Sequence, residues 1–201
     1  MNIKEFVKKY GKKYSDILEI NVREEPFKWF LASILFGTPI REENAMKTYK
    51  IFDKNDLITP EKIIKAGWDK IVLLLDEGGY TRYDFKTADK LIEACNAIIE
   101  KGGMDKILKK EDLRTELKLA KGIGDVTIDI FLRELNLPHN ISKYAIIAAK
   151  NHELLVGDKI KRIKGIDEIE LEIALMKLGR DYCRKNKCNE CPFPCRKAKN
   201  L

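Results

Sequence analysis

The chain has 201 residues, with 39 Lys and Arg against 32 Asp and Glu and a formal net charge of +7 at pH 7. Such a length supplies a core for one domain or two small ones, and the basic balance suits a polyanionic partner. No apolar run is long enough to span a bilayer and Met1-Asn2-Ile3-Lys4-Glu5 lacks a signal peptide's apolar core, which excludes the membrane-spanning class and sets the expectation of a cytoplasmic protein.

Almost every segment carries helical periodicity. Tyr14, Ile17, Leu18 and Val22 predict a helix from Tyr10 to Val22, closed by Pro26. Phe27, Phe30, Leu31, Ile34 and Leu35 predict a strongly buried helix ending at Gly37-Thr38-Pro39, and Ala45, Met46, Tyr49 and Phe52 place another over Glu42 to Phe52. Thr59-Pro60-Glu61 is a capping residue followed by proline at the first helical position, opening a helix through Ala66. Trp68 to Leu75 is stopped by Gly78-Gly79, and a long helix from Phe85 to Lys101 by Gly102-Gly103. Short helices near Met104–Lys109 and Asp112–Leu119 follow, then Ile128–Leu135, Ser142–Leu155 and, past a basic polar stretch, Asp167–Tyr182. No segment alternates as a strand does, and there are no internal repeats. The fold class is all-α. Glutamine is absent while Lys, Glu and Ile abound, a bias of heat-adapted proteins, so a thermophilic source is expected.

Two stretches carry chemistry. In Leu117-Lys118-Leu119-Ala120-Lys121-Gly122-Ile123-Gly124-Asp125-Val126-Thr127 an apolar helix end runs into Gly-Ile-Gly and straight into a second apolar helix. Both glycines can take backbone angles closed to other residues and admit a phosphate to the main chain. The amides of Gly124 and its successors then lie at a helix N-terminus, where unpaired N–H groups and the helix dipole attract an anion. Ile123 points inward and locks the turn. This is the helix–hairpin–helix pattern, a sequence-neutral grip on a DNA backbone; a bland C-capping glycine is the competing interpretation.

The second stretch is Cys183-x4-Cys188-x2-Cys191-x3-Cys195, four of the chain's five cysteines. In an intracellular chain clustered thiolates usually hold metal, either tetrahedral zinc or a cubane [4Fe-4S] cluster. Arg180, Arg184, Lys185, Lys187, Arg196, Lys197 and Lys199 surround it, as a solvated basic face or as phosphate contacts. Cys95 lies on an apolar helix face and is expected in the core. His139 and His152 have no partners at metal spacing and are expected at the surface.

Taken together the chain resembles the helix–hairpin–helix DNA glycosylases, in particular the endonuclease III branch, from about Glu24 to Lys197. The resemblance rests on Pro26-Phe27, the Gly79-Tyr80-Thr81-Arg82 loop before a long helix, the Gly122-Ile123-Gly124 hairpin and the terminal cysteine loop. It implies a central helical barrel over 25–137 that includes the hairpin, and a second, discontinuous helical domain of 1–24 plus 138–201 that carries the cluster. Double-stranded DNA would lie in the cleft between them, bound by a monomer. It also favours iron over zinc for Cys183, Cys188, Cys191 and Cys195. In that family an altered base is flipped out of the duplex and its glycosidic bond cut, the work of a base excision repair hydrolase. Lys121, Gly122, Gly124, Asp125 and Val126 would hold the backbone. Thr38, Tyr80 and Arg82 occupy loops that fill the gap left by the base, Tyr80 either wedging there or capping the barrel.

The catalytic positions depart from the family. Val126 stands where bifunctional members carry a nucleophilic lysine, so the usual Schiff-base lyase step is not expected. Ser142 stands where a carboxylate would stabilise the cationic sugar, and no Asp or Glu lies between Asn136 and Asn151. Asp125, expected to cap the second hairpin helix, Asp129 one turn later, Asp84 and Lys143 are the substitutes available. The expected function is therefore a DNA glycosylase working through another group, or a catalytically degenerate DNA-binding protein on the same scaffold.

Overall fold

The computed structural model describes residues 1–195. Arg196, Lys197 and Lys199 of the basic tail lie outside the described residues. The chain forms α1 (Ile3–Tyr10), α2 (Tyr14–Ile17), α3 (Pro26–Phe36), α4 (Glu42–Lys54), α5 (Pro60–Ala66), α6 (Trp68–Gly78) and α7 (Asp84–Glu100). It continues through α8 (Met104–Ile107), α9 (Leu113–Glu116), α10 (Asp125–Glu134), α11 (Lys143–Asn151) and α12 (Glu168–Asp181). One small antiparallel pair, β1 (Leu155–Val156) and β2 (Lys159–Ile160), interrupts the helices with Leu155 opposite Ile160. The fold is all-α, as the periodicities predict.

Local chemistry accounts for the ends. Thr59 accepts from the Lys62 amide with Pro60 at the first helical position of α5. Asn2 and Glu5 close a reciprocal capping box on α1. Three expectations change. The helix expected over Tyr10–Val22 contracts to the single turn Tyr14–Ile17, and α1 ends just before Gly11, where a Cβ would meet the Glu170 carbonyl oxygen at 2.4 Å and so prevent α12 from coming this close. The helix from Ser142 ends at Asn151, where Glu153 turns left-handed at φ +59 and the Leu154 amide closes back on the Ala149 carbonyl at 2.8 Å, and Gly157 with φ +60 then joins β1 to β2. The helix over Asp112–Leu119 contracts to one turn, Leu113–Glu116, capped by Asp112.

Backbone contacts divide the chain into two compact units, Met1–Ile17 with Pro138–Leu201, and Leu18–Leu137. In the first, α11 and α12 pack through small residues: Ala145, Ala148, Ala149 and Ala174 are fully buried beside Phe6, Leu171, Leu175 and Leu178. A Cβ on Gly179 would stand 1.9 Å from the Tyr144 carbonyl oxygen, so the helix axes can approach this closely only with glycine there. The cysteine segment docks on this core through Cys183, Cys191 and Phe193. Phe193 is stacked between Phe6 and His152, with both ring centroids 4.7 Å away.

In the second unit α3 is the central element, with Trp29, Phe30, Leu31, Ala32 and Leu35 fully buried. The Trp29 indole donates to the Phe131 carbonyl at 3.0 Å, and Phe30 meets Phe131 edge-on at 5.1 Å, which fixes α10 against α3. Cys95 is buried as expected, and burial, with Glu61 nearby, pushes its thiol up to about 12.

Candidate nucleic-acid interface

Leu117 is fully buried and Ile123 is 4% exposed, so the turn between α9 and α10 is pinned from below. Lys121, Gly122, Gly124, Asp125 and Val126 are all exposed above it. Gly122 has φ +91 and requires glycine. Gly124 does not: it is extended at φ −104 and ψ −175, and a Cβ there would meet nothing within 4 Å. The two glycines thus have different physical reasons, and only the first is conformational. Gly124 is the N-cap of α10 and supplies no side chain, leaving the first amides of a ten-residue helix open to an outside acceptor.

Asp125 is the first helical residue, not the cap. Arg114 of α9 reaches Asp125 at 3.0 Å and Asp129 at 2.5 Å, and the Asp129 bond first among these holds the guanidinium above its usual range. The two carboxylates one turn apart on α10 are therefore both ion-paired to one arginine, whose single positive charge offsets only one of them. Sequence reasoning missed Arg114, since nothing periodic links it to a helix beginning eleven residues later.

Thr127, three residues beyond Gly124, is 3% exposed. Its hydroxyl would lie 2.1 Å from a Cβ on Gly37, so glycine lets the Gly37-Thr38-Pro39 turn close directly onto α10. Thr38 is 6% exposed and donates to the Ile34 carbonyl at 3.3 Å. Tyr80 is fully buried, its hydroxyl donating to the Leu35 carbonyl at 2.9 Å, and burial raises its pKa. In this position its ring is part of the core of the second unit and is not presented at the surface; Thr81 and Arg82 are the exposed residues of that loop. Asp84 accepts from the Phe85 amide at 2.8 Å at the start of α7. A cavity of about 610 Å³ joins the two turns, lined by Thr38, Lys86, Lys90, Glu93, Lys121 and Gly122 among others.

In the first unit Ser142 is the N-cap of α11 and accepts from the Tyr144 amide. The Lys143 ammonium sits 5.2 Å from the Tyr144 ring centroid, and Arg184 stacks on the same ring at 5.3 Å while donating to its hydroxyl. Neither histidine is a bare surface residue. His139 meets Glu172 at 2.9 Å with its side chain 17% exposed, and His152, stacked on Phe193, has its pKa lowered by burial. Burial raises the Cys183 thiol, with Cys195 and Cys188 adding to it; burial also raises Cys191, with Cys183, Cys195 and Cys188 adding. Cys183 and Cys191 thus each feel the other cysteines of the segment, and thiolates are soft donors of the kind zinc and iron take. Among the described residues, no group of three or more His, Cys, Asp or Glu side chains stands at metal-holding spacing.

The chain is similar in fold to a thermostable thymine-DNA glycosylase, with a TM-score of 0.57 and 17% identity over 98% of this chain and 99% of that one. At such identity the likeness establishes a shared architecture alone. No protein-family model matches the chain, and no curated protein matches it in sequence.

Proposed function

We propose that the chain is a DNA base excision glycosylase that grips duplex backbone at the Gly122–Val126 hairpin. The observation that carries this reading is the open N-terminus of α10, presented on an exposed turn whose apolar residue Ile123 is locked beneath it. Backbone amides at a helix start bind phosphate without regard to base sequence, as an enzyme searching DNA for rare lesions requires. A solved structure that shares this architecture is a thymine-DNA glycosylase. Val126 carries no amine, so the chemistry proposed is hydrolysis of the glycosidic bond without the lysine-dependent lyase step. Asp129 and Asp125 are the nearest carboxylates on the hairpin helix, with Lys143 and Ser142 at the start of α11.

The same reading assigns Cys183, Cys188, Cys191 and Cys195 to a [4Fe-4S] cluster, with zinc as the alternative. Such a group would supply architecture and no step of bond cleavage. Broad visible absorbance with stoichiometric iron after anaerobic purification supports iron; a colourless zinc protein overturns it.

A second reading, a lesion-recognising DNA-binding protein without catalysis, is favoured by one observation: Arg114 holds both hairpin carboxylates in ion pairs. One experiment separates the two. Duplexes bearing uracil, oxidised purines, oxidised pyrimidines, alkylated bases and mismatches, thymine mispairs included, are incubated with the protein and treated with hot alkali. Strand breaks at one lesion, abolished by Asp129→Asn or another single substitution at these positions, establish the glycosylase. Binding without an abasic product across the panel establishes the second reading.

A further inference from the structure

Lys90 has no role in the reading above. It sits on α7, one turn beyond Lys86, and its side chain lies against the hairpin: a Cβ on Gly122 would meet Lys90 Cε at 3.2 Å and Nζ at 3.8 Å. It lines the 610 Å³ cavity with Thr38, Lys121 and Gly122. Burial lowers its pKa. Among the described residues it makes no ion pair or hydrogen bond. The two carboxylates of the same cavity are engaged elsewhere. Asp89 accepts from the Trp68 indole at 2.7 Å, and Glu93 accepts from the Lys121 backbone amide at 3.1 Å.

A half-buried ammonium with no direct ion pair costs free energy in the isolated protein. Asp89 and Glu93 keep their charges, but with carboxylate oxygens turned to the Trp68 indole and the Lys121 amide neither forms a direct pair with Lys90, so part of that cost stays in place. The arrangement becomes favourable when an anion from outside enters the cavity. A water occupies about 30 Å³ of liquid, so the cavity is far larger than one inorganic ion needs, and its rim already carries the hairpin turn. We propose that this cavity is a sugar–phosphate subsite beside the hairpin, and that Lys90 supplies its cation. The proposal rests on the hairpin grip proposed above and extends it to a residue on a different helix. Gly122 then has a second function besides its backbone angle, since a Cβ there would crowd the Lys90 stem at 3.2 Å.

The test uses Lys90→Met, which keeps the length and apolar stem of the side chain and removes its charge, with exposed Lys54→Ala as the control. Affinity for an undamaged duplex is measured over a salt series, and thermal stability without DNA. Lys90→Met is expected to melt at or above the wild-type temperature, because an unpaired buried charge is gone. It should bind DNA about 5- to 50-fold more weakly at low salt, with the slope of log K against log salt shallower by about 0.9, one phosphate's share. Lys54→Ala should match wild type in both. Wild-type slope and affinity in Lys90→Met overturn the inference while leaving the hairpin reading intact. Failure of the wild-type protein to bind any duplex overturns both. Displacement of duplex by inorganic phosphate, beyond that caused by chloride at equal ionic strength, makes the cavity a free-anion site and also overturns the assignment.

Discussion

Replacing Gly124 with aspartate separates stability from function, because the two should move in opposite directions. The backbone there is extended, at φ −104 and ψ −175, and the added Cβ enters open space, so no strain or clash follows. Aspartate is among the best N-cap residues where glycine is merely tolerated, and its charge opposes the positive end of the α10 dipole. The free protein should therefore gain about 0.3–1 kcal/mol. The same carboxylate occupies the amides that would receive a phosphate and repels it. Losing one charge-assisted contact and gaining that repulsion should weaken DNA binding by about 1–3 kcal/mol, roughly 5- to 150-fold. The salt slope should fall by about 0.9. Fluorescence anisotropy with intact and lesion-bearing duplexes reads the affinity, and circular dichroism melting reads the stability. Gly124→Ser, a capping residue without charge, should retain most of the binding. A folded Gly124→Asp protein with wild-type affinity refutes the assignment of the hairpin, and so does a loss confined to damaged duplexes, since backbone contacts are blind to the base.

Other substitutions test the scaffold. Gly179→Ala puts a Cβ 1.9 Å from a backbone oxygen of Tyr144, which cannot swing away as a side chain would. Its cost should lie at or above the top of the usual overpacking range of about 1–3 kcal/mol, read by urea denaturation, and undiminished stability would contradict the close approach of α11 and α12. Tyr80→Phe removes the hydroxyl that satisfies Leu35 and should cost about 0.5–1.5 kcal/mol of stability with DNA affinity unchanged; a selective loss of lesion binding would restore the wedge role. His152→Phe keeps the stack on Phe193 and removes a titrating group. Because burial depresses the folded pKa of His152, the unfolded chain takes up its proton first as pH falls. The stability owed to the neutral ring is present above the ordinary value of about 6.5. It declines as pH drops from there through the folded pKa. Wild type should therefore lose stability relative to His152→Phe in melts taken below that pH, and parallel curves would refute the buried stack.

The parts of the fold legible in sequence are those whose cause is local. Thr59-Pro60 announced α5, Gly78-Gly79 and Gly102-Gly103 ended their helices, and Gly122-Ile123-Gly124 marked the hairpin. Asn2 and Glu5 carry a capping box for α1 that is legible in the sequence, and Gly157-Asp158 marks a turn between strands too short to show alternation. What was illegible depends on partners distant in the chain. Gly11 must be glycine because the α12 backbone passes beside it. Tyr80 is a core residue because its hydroxyl finds Leu35, 45 positions away, where the loop alone allowed either a wedge or a cap. His139 and His152 read as surface residues until Glu172 and Phe193 are seen beside them.

The same distinction explains why the grip is better supported than the cut. A backbone grip needs amides with a direction, and a helix start provides them whatever the neighbouring side chains are. Cleavage needs a carboxylate or an amine whose charge is free to respond to a developing cation. Every substitute for the family's groups is engaged: Asp125 and Asp129 by Arg114, Asp84 by the Phe85 amide, Ser142 by the Tyr144 amide, and Lys143 over the Tyr144 ring. Of these, Asp129 combines a charge of the required sign with a place on the hairpin helix and a side chain only 19% exposed, where water screens it least. Arg114 is shared with Asp125, so its single positive charge weakens the attraction of Asp129 for a cationic sugar while the trio keeps a net negative charge. Under the proposed function, a phosphate at the α10 N-terminus would compete for the same arginine and loosen its hold on the acid. Backbone binding and exposure of the carboxylate would then be coupled through Arg114, a residue that lies outside the hairpin motif.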